Sequence, residues 1–105
     1  MSEKESKDAG RIQQITGRPF EDCLAQVRRI ELCVAAMKTR VVEFYFVKKD
    51  GTTRQAFGTL QEDIIRPHIK SDSNREPNPE LVTYFDVSKN QFRSFRKENF
   101  QRFVA

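Results

Sequence analysis

Hydrophobic periodicity changes once along this chain, at Thr39, and the change limits what the chain can build. Before it, Phe20, Cys23, Leu24, Val27, Ile30, Val34 and Met37 recur at spacings of three and four, the stripe of an amphipathic helix. After it, Arg40-Val-Val-Glu-Phe-Tyr-Phe-Val47 alternates with a period of two and is rich in β-branched and aromatic residues, which reads as a strand. Lys48-Lys-Asp-Gly51 is a turn in which glycine supplies the positive φ, so Thr52 to Phe57 is the returning strand. Val42, Phe44 and Phe46 share one face of the first strand, and Val41, Glu43, Tyr45 and Val47 the other. With both faces substantially apolar, that strand is expected to be covered on both sides, and Gly58 is expected to mark a bend or bulge.

A second hairpin follows a long polar stretch. Residues 61–79 lose the pattern, and Ser71-Asp-Ser-Asn-Arg-Glu-Pro-Asn-Pro79 has the composition of an exposed, floppy loop. Leu81 to Val87 is the third strand, with Leu81, Thr83, Phe85 and Val87 on one face and Val82, Tyr84 and Asp86 on the other. Ser88-Lys-Asn90 turns the chain into Gln91 to Arg96, where a bulge near Arg93-Ser94 would bring both Phe92 and Phe95 inward. Lys97-Glu-Asn99 reads as one helical turn and Phe100 to Val104 as a short last strand. The order predicts a mainly β protein with an N-terminal α-helix, in which a five-stranded antiparallel barrel is covered by the helix. No crossover helices separate the strands, which excludes a parallel sheet.

Ahead of the strands, residues 1–11 are charged and small and read as a disordered tail, and 12–38 as a helical extension to a barrel at 39–105. The helix proper is expected near Thr16-Gly-Arg-Pro19, with Glu21 and Asp22 favoured by the helix dipole in its first turn. Gln26, Arg28, Arg29 and Lys38 fall on its polar face, and Leu32 and Cys33 fall off the stripe, so that either the helix bends there or those two residues face something else, such as a second copy. The stripe is expected to cover the chain's own strands, with docking of a protein partner or a homodimer as the alternative.

At 105 residues, 37% hydrophobic and 32% charged, the chain has the bulk of one small globular domain. Its net charge of +4 permits a polyanionic partner without requiring one. Cys23 and Cys33 lie about 15 Å apart along one helix, too far for a disulfide, and with His68 they are too few for a zinc site. Free thiols, the lack of a membrane-length apolar run and a polar start without a signal-peptide core lead to an expected cytoplasmic location with no membrane partner. No catalytic set, Gly-rich phosphate loop, metal-ligand cluster or cofactor motif has a workable spacing, so no catalytic residue, metal or cofactor is expected. Asp86 and Glu98 read as partners for nearby Arg and Lys, and His68 as a solvated or locally bonded loop residue.

Phe44 and Asp50-Gly51-Thr-Thr-Arg54, then Tyr84-Phe85-Asp86 and Phe92-Arg93-Ser94-Phe95-Arg96, resemble the Sm-like, SH3-type barrel of the WYL superfamily over about residues 38–104. The similarity is greatest to small single-domain WYL-like proteins of Bacteroides-type bacteria and their mobile elements. The namesake Trp-Tyr-Leu triplet is absent, with Glu80-Leu81-Val82 near its place, and Gly58 stands where a proline is usual. The resemblance implies a transcription-regulating barrel that binds nucleic acid or a nucleotide through arginines, with Arg54, Arg93 and Arg96 at the matching positions.

If Arg93 shares a face with Phe95 and Arg54 lies on a neighbouring strand, their guanidiniums converge beside Tyr84, an arrangement suited to a phosphate with a base stacked on the ring. Arg96, Lys97 and Arg102 would extend that patch. The alternative is an accessory subunit that docks a protein through the helix or a strand edge.

Overall fold

The computed structural model describes residues 1–69 and 78–105, and the loop reading for 70–77 lies outside the described residues. Ser2 starts the first helix, α1 (Glu3–Thr16). Its hydroxyl accepts from the Glu5 amide at 3.1 Å while the Glu5 carboxylate accepts from the Ser2 amide at 2.8 Å, a reciprocal capping box. Gly17, at φ 73°, ends the helix by donating its amide to the Gln13 carbonyl at 2.8 Å. The tail expected at 1–11 is therefore mostly helix. Its buried side chains are the small Ala9 and the charged Asp8, beside Ile12, so hydropathy gave no sign of docking.

The second helix, α2 (Phe20–Met37), packs against α1 through a small cluster of Ala9, Ile12, Cys23 and Val27, with Phe20 and Leu24 at its edge. Its stripe is buried as the spacing predicts at Cys23, Val27, Ile30 and Met37. Two polar-face or off-stripe assignments change. Cys33 is fully buried in the main core while Leu32 points outward. Gln26 is buried because its amide donates to the carbonyls of Glu98 (3.1 Å) and Phe100 (2.7 Å), which satisfies a polar group inside a packed face. Burial pushes the Cys33 thiol up to about 12, so it stays protonated, and both cysteines are free.

Five antiparallel strands form one sheet in the order β4-β3-β2-β1-β5: β1 (Val42–Val47), β2 (Thr53–Thr59), β3 (Leu81–Asp86), β4 (Gln91–Arg96) and β5 (Phe100–Phe103). A short helix, α3 (Glu62–Ile65), and a 3-10 turn at Arg66–His68 follow β2. A 3-10 turn at Lys97–Asn99 joins the two outermost strands, and the rings of Phe95 and Phe100 stack across that junction at 5.4 Å. The sheet thus curls into a barrel whose core holds Val42, Phe44, Phe46, Ala56, Val82, Tyr84, Phe95 and Phe100, closed on one side by Ile30, Cys33 and Met37 of α2. With α1 and α2 contributing 14 and 18 residues against strands of 4 to 7, the fold is mixed α/β rather than mainly β.

Strand parity settles several local expectations. The Lys48–Gly51 turn forms as read, with Gly51 at φ 87°. The outer face of β1 is only partly covered, since Glu43, Tyr45 and Val47 remain half-buried. No register shift interrupts β3 and β4, so Phe92 points outward against Phe85 and only Phe95 enters the core. Gly58 makes no bulge, since it pairs in register with both Val42 and Asp86. A Cβ there would stand 2.7 Å from Tyr84 Cδ2 and 2.9 Å from Phe44 Cε1, two buried rings with no room to retreat. Gly58→Ala is expected to lower stability by about 1–3 kcal/mol through overpacking. A thermal melt unchanged by the substitution would show that the rings yield.

Candidate anion-binding mouth of the barrel

Alternation along three strands brings separate sequence positions to one end of the barrel. Arg54 on β2 pairs across from Phe46, and Arg93 on β4 pairs across from Tyr84, so both follow the inward-facing rows to the point where the rows run out of core. Asp86 ends the inner row of β3 and is 1% exposed. Its Oδ2 accepts from Arg54 Nη2 at 3.0 Å and lies 3.9 Å from Arg93 Nε. Its Oδ1 accepts from the amides of Ser88 (2.9 Å) and Lys89 (3.2 Å), which fixes the carboxylate in the β3–β4 turn. The Gln91 carboxamide oxygen, in the orientation that satisfies both its ends, accepts from Arg93 Nη2 at 2.8 Å and Nε at 3.1 Å.

Two guanidiniums thus share one buried carboxylate, leaving one positive charge uncompensated. Lys48 and Lys49 of the β1–β2 turn add two exposed cations on the wall of the same cavity, about 320 Å³, which Phe46, Phe95 and Tyr84 also line. Neither lysine makes an ion pair among the described residues. Sequence reading placed both only in a turn, although two cations beside the strand that carries Arg54 were the available signal.

Tyr84 is the unusual member of the site. Its ring is fully buried, edge-on to Phe44 at 4.9 Å, so it is no stacking platform for a base. Its hydroxyl is buried without a hydrogen-bond partner among the described residues. Burial holds the phenol above its ordinary range, with Arg54 pulling the other way, Asp86 reinforcing the rise and Arg93 opposing it, so the group is a neutral donor. An orphaned buried hydroxyl costs roughly 1–3 kcal/mol and calls for an explanation.

The remaining sequence-predicted cations do not join the mouth equally. Arg96 lines the cavity but is neutralised by a short contact to Glu98 and by Glu80 at 3.0 Å, and the two acids, Glu98 foremost, raise its pKa above the ordinary value. Lys97 turns away and donates to Asp8 of α1 at 2.8 Å in a largely buried pair. Arg102 lies 4.3 Å above the Tyr45 ring on the outer face. There Tyr45 donates to Glu43, and Gln55 donates to Glu43 at 2.6 Å. His68 lies over Phe85 at 4.5 Å, outside the sheet. Among the described residues no group of three or more His, Cys, Asp or Glu side chains is placed to hold a metal ion, and no helix is long and apolar enough to cross a membrane.

A family model described as WYL_2, Sm-like SH3 beta-barrel fold, matches residues 30–101. The chain belongs to the WYL_2 family. The matched region begins inside α2, at Ile30, and so takes in Ile30, Cys33 and Met37, the part of the helix that shares a core with the strands. In this WYL_2 protein α1 and the first half of α2 lie outside the matched segment, as does the acid that neutralises Lys97. No curated protein and no solved structure matches the chain.

Proposed function

We propose that this WYL_2 protein is a non-enzymatic regulatory module that binds a nucleic acid or a nucleotide through the mouth formed by Arg54, Arg93, Lys48 and Lys49. One observation carries the reading: two guanidiniums held by a single buried carboxylate, with an unpartnered hydroxyl among them. Asp86 alone does not balance Arg54 and Arg93, and Lys48 and Lys49 on the same wall have no ion-pair partner among the described residues. Arginine forks present paired N–H donors of the kind that suit phosphate oxygens, and Asp86 and Gln91 anchor them at the cavity. The alternative, an accessory subunit docking through the helix, has less to offer, since the stripe of α2 is already packed against α1 and the sheet.

Fluorescence anisotropy with labelled single-stranded DNA, RNA and mononucleotides tests the proposal. Affinity is expected to fall steeply between about 50 and 200 mM salt, because each phosphate engaged displaces condensed counterions. Absence of binding to every probe at the low-salt end would discard the mouth as a ligand site.

A further inference from the structure

The mouth has a graded depth. Arg93 is 34% exposed, Arg54 22%, and the Tyr84 hydroxyl below them is sealed from solvent. Long arginine side chains can part for an incoming group, whereas the Tyr84 ring is fixed among Phe44, Phe95 and Gly58. The cavity of about 320 Å³ sits at the small end of the range for ligand pockets, roughly 300–1,000 Å³, and holds one small unit rather than a length of strand. Its donors also differ in kind: two cationic forks near the surface and one neutral hydroxyl beneath.

On the reading that the mouth binds a nucleotide or nucleic acid, we infer that it takes a terminal phosphate monoester, with the Tyr84 hydroxyl donating to the deepest phosphoryl oxygen. A monoester presents three non-bridging oxygens, one for each of Arg54, Arg93 and Tyr84. A phosphodiester inside a strand presents two, and both of its ester oxygens carry bulk that the blocked inner side cannot admit. The buried carboxylate of Asp86 draws both guanidiniums to the mouth, and Lys48 and Lys49 line the same cavity. The orphaned hydroxyl then has a purpose that packing alone does not supply.

The test uses the full chain in competition anisotropy. A labelled oligonucleotide with a terminal phosphate is displaced by a nucleoside 5′-monophosphate, by the 3′,5′-cyclic nucleotide, which is a diester, or by the same oligonucleotide without its terminal phosphate. The monophosphate is expected to compete best, and Tyr84→Phe to weaken its binding about tenfold, the factor expected for one hydrogen bond to a charged acceptor. The loss should be larger for the monophosphate than for the unphosphorylated oligonucleotide, whose diesters do not reach the hydroxyl. Because phenylalanine keeps the ring, a melt at or above that of the native protein shows that the loss is not misfolding. Equal binding of monoester, diester and unphosphorylated strand would overturn the monoester inference while leaving nucleic-acid binding intact. Binding of none of them would remove both.

Discussion

Replacing Phe44 by alanine is expected to lower the free energy of unfolding by about 3–5 kcal/mol. Phe44 is fully buried and its ring touches most of the aromatic core: Tyr84 at 4.9 Å, Phe95 at 5.4 Å, Phe46 at 6.1 Å and Phe100 at 6.4 Å between centroids. These rings come from β1, β3, β4 and β5, so truncation opens a cavity where four strands meet, and none of the neighbours can move in without leaving another contact. A domain of this size has about 5–15 kcal/mol to lose, so the variant stands close to unfolding. Phe92→Ala is the internal contrast. Its ring is on the outer face, 37% exposed, with one edge-on contact to Phe85 at 5.3 Å, and the expected loss is about 1 kcal/mol. Urea titrations of the two variants read strand parity directly: similar losses would mean that β4 does not present Phe95 and Phe92 to opposite faces.

The double substitution Arg54→Ala with Arg93→Ala is expected to weaken binding of a phosphorylated oligonucleotide at low salt on the order of 100-fold. Each guanidinium supplies a charge-assisted hydrogen bond worth about 1.5–3 kcal/mol, and even the lower figure taken twice reaches that factor. The slope of affinity against salt should flatten as well, because fewer counterions are released. This variant leaves Asp86 buried without a cationic partner, so part of any loss could come from a disturbed fold. Arg54→Gln, Arg93→Gln and Asp86→Asn together make the cluster neutral and keep an acceptor for the Ser88 and Lys89 amides. Equal loss of binding in this triple variant, with a native melting curve, assigns the effect to charge at the mouth. Retained affinity in both variants would move the interaction elsewhere on the surface.

Much of the strand half was legible because alternation, a Gly turn and aromatic spacing are local signals. Val42, Phe44 and Phe46 face inward as their parity requires, and Lys48-Lys-Asp-Gly51 turns the chain where it was read. The convergence of Arg54 and Arg93 beside Tyr84 was also within reach, since it needed only the parity of three neighbouring strands. Parity could not say that Tyr84 would sink its whole ring into the core, because that depends on the space Gly58 leaves on the facing strand.

Other misreadings turn on partners far along the chain. Asp8 is buried because Lys97, 89 positions away, neutralises it. Gln26 is buried because the carbonyls of Glu98 and Phe100, 72 and 74 positions away, need a donor. Neither pairing leaves a mark in a local window, so a docked α1 looked like a tail and Lys97 looked like part of a basic patch. Arg102 was assigned to the same patch by nearness in sequence. The turn at Lys97–Asn99 breaks the alternation, and β5 carries Arg102 to the outer face over Tyr45.

Two-dimensional NMR of the uniformly ¹⁵N-labelled protein, titrated with a nucleoside monophosphate at low salt, locates the ligand site residue by residue. The amides of Lys48 to Arg54, of Tyr84 to Lys89 and of Gln91 to Arg93 are expected to shift together and to saturate with one affinity. Shifts confined to the Tyr45 and Arg102 face or to the α1–α2 hairpin, with the mouth unchanged, would contradict the assignment of function to the arginine cluster.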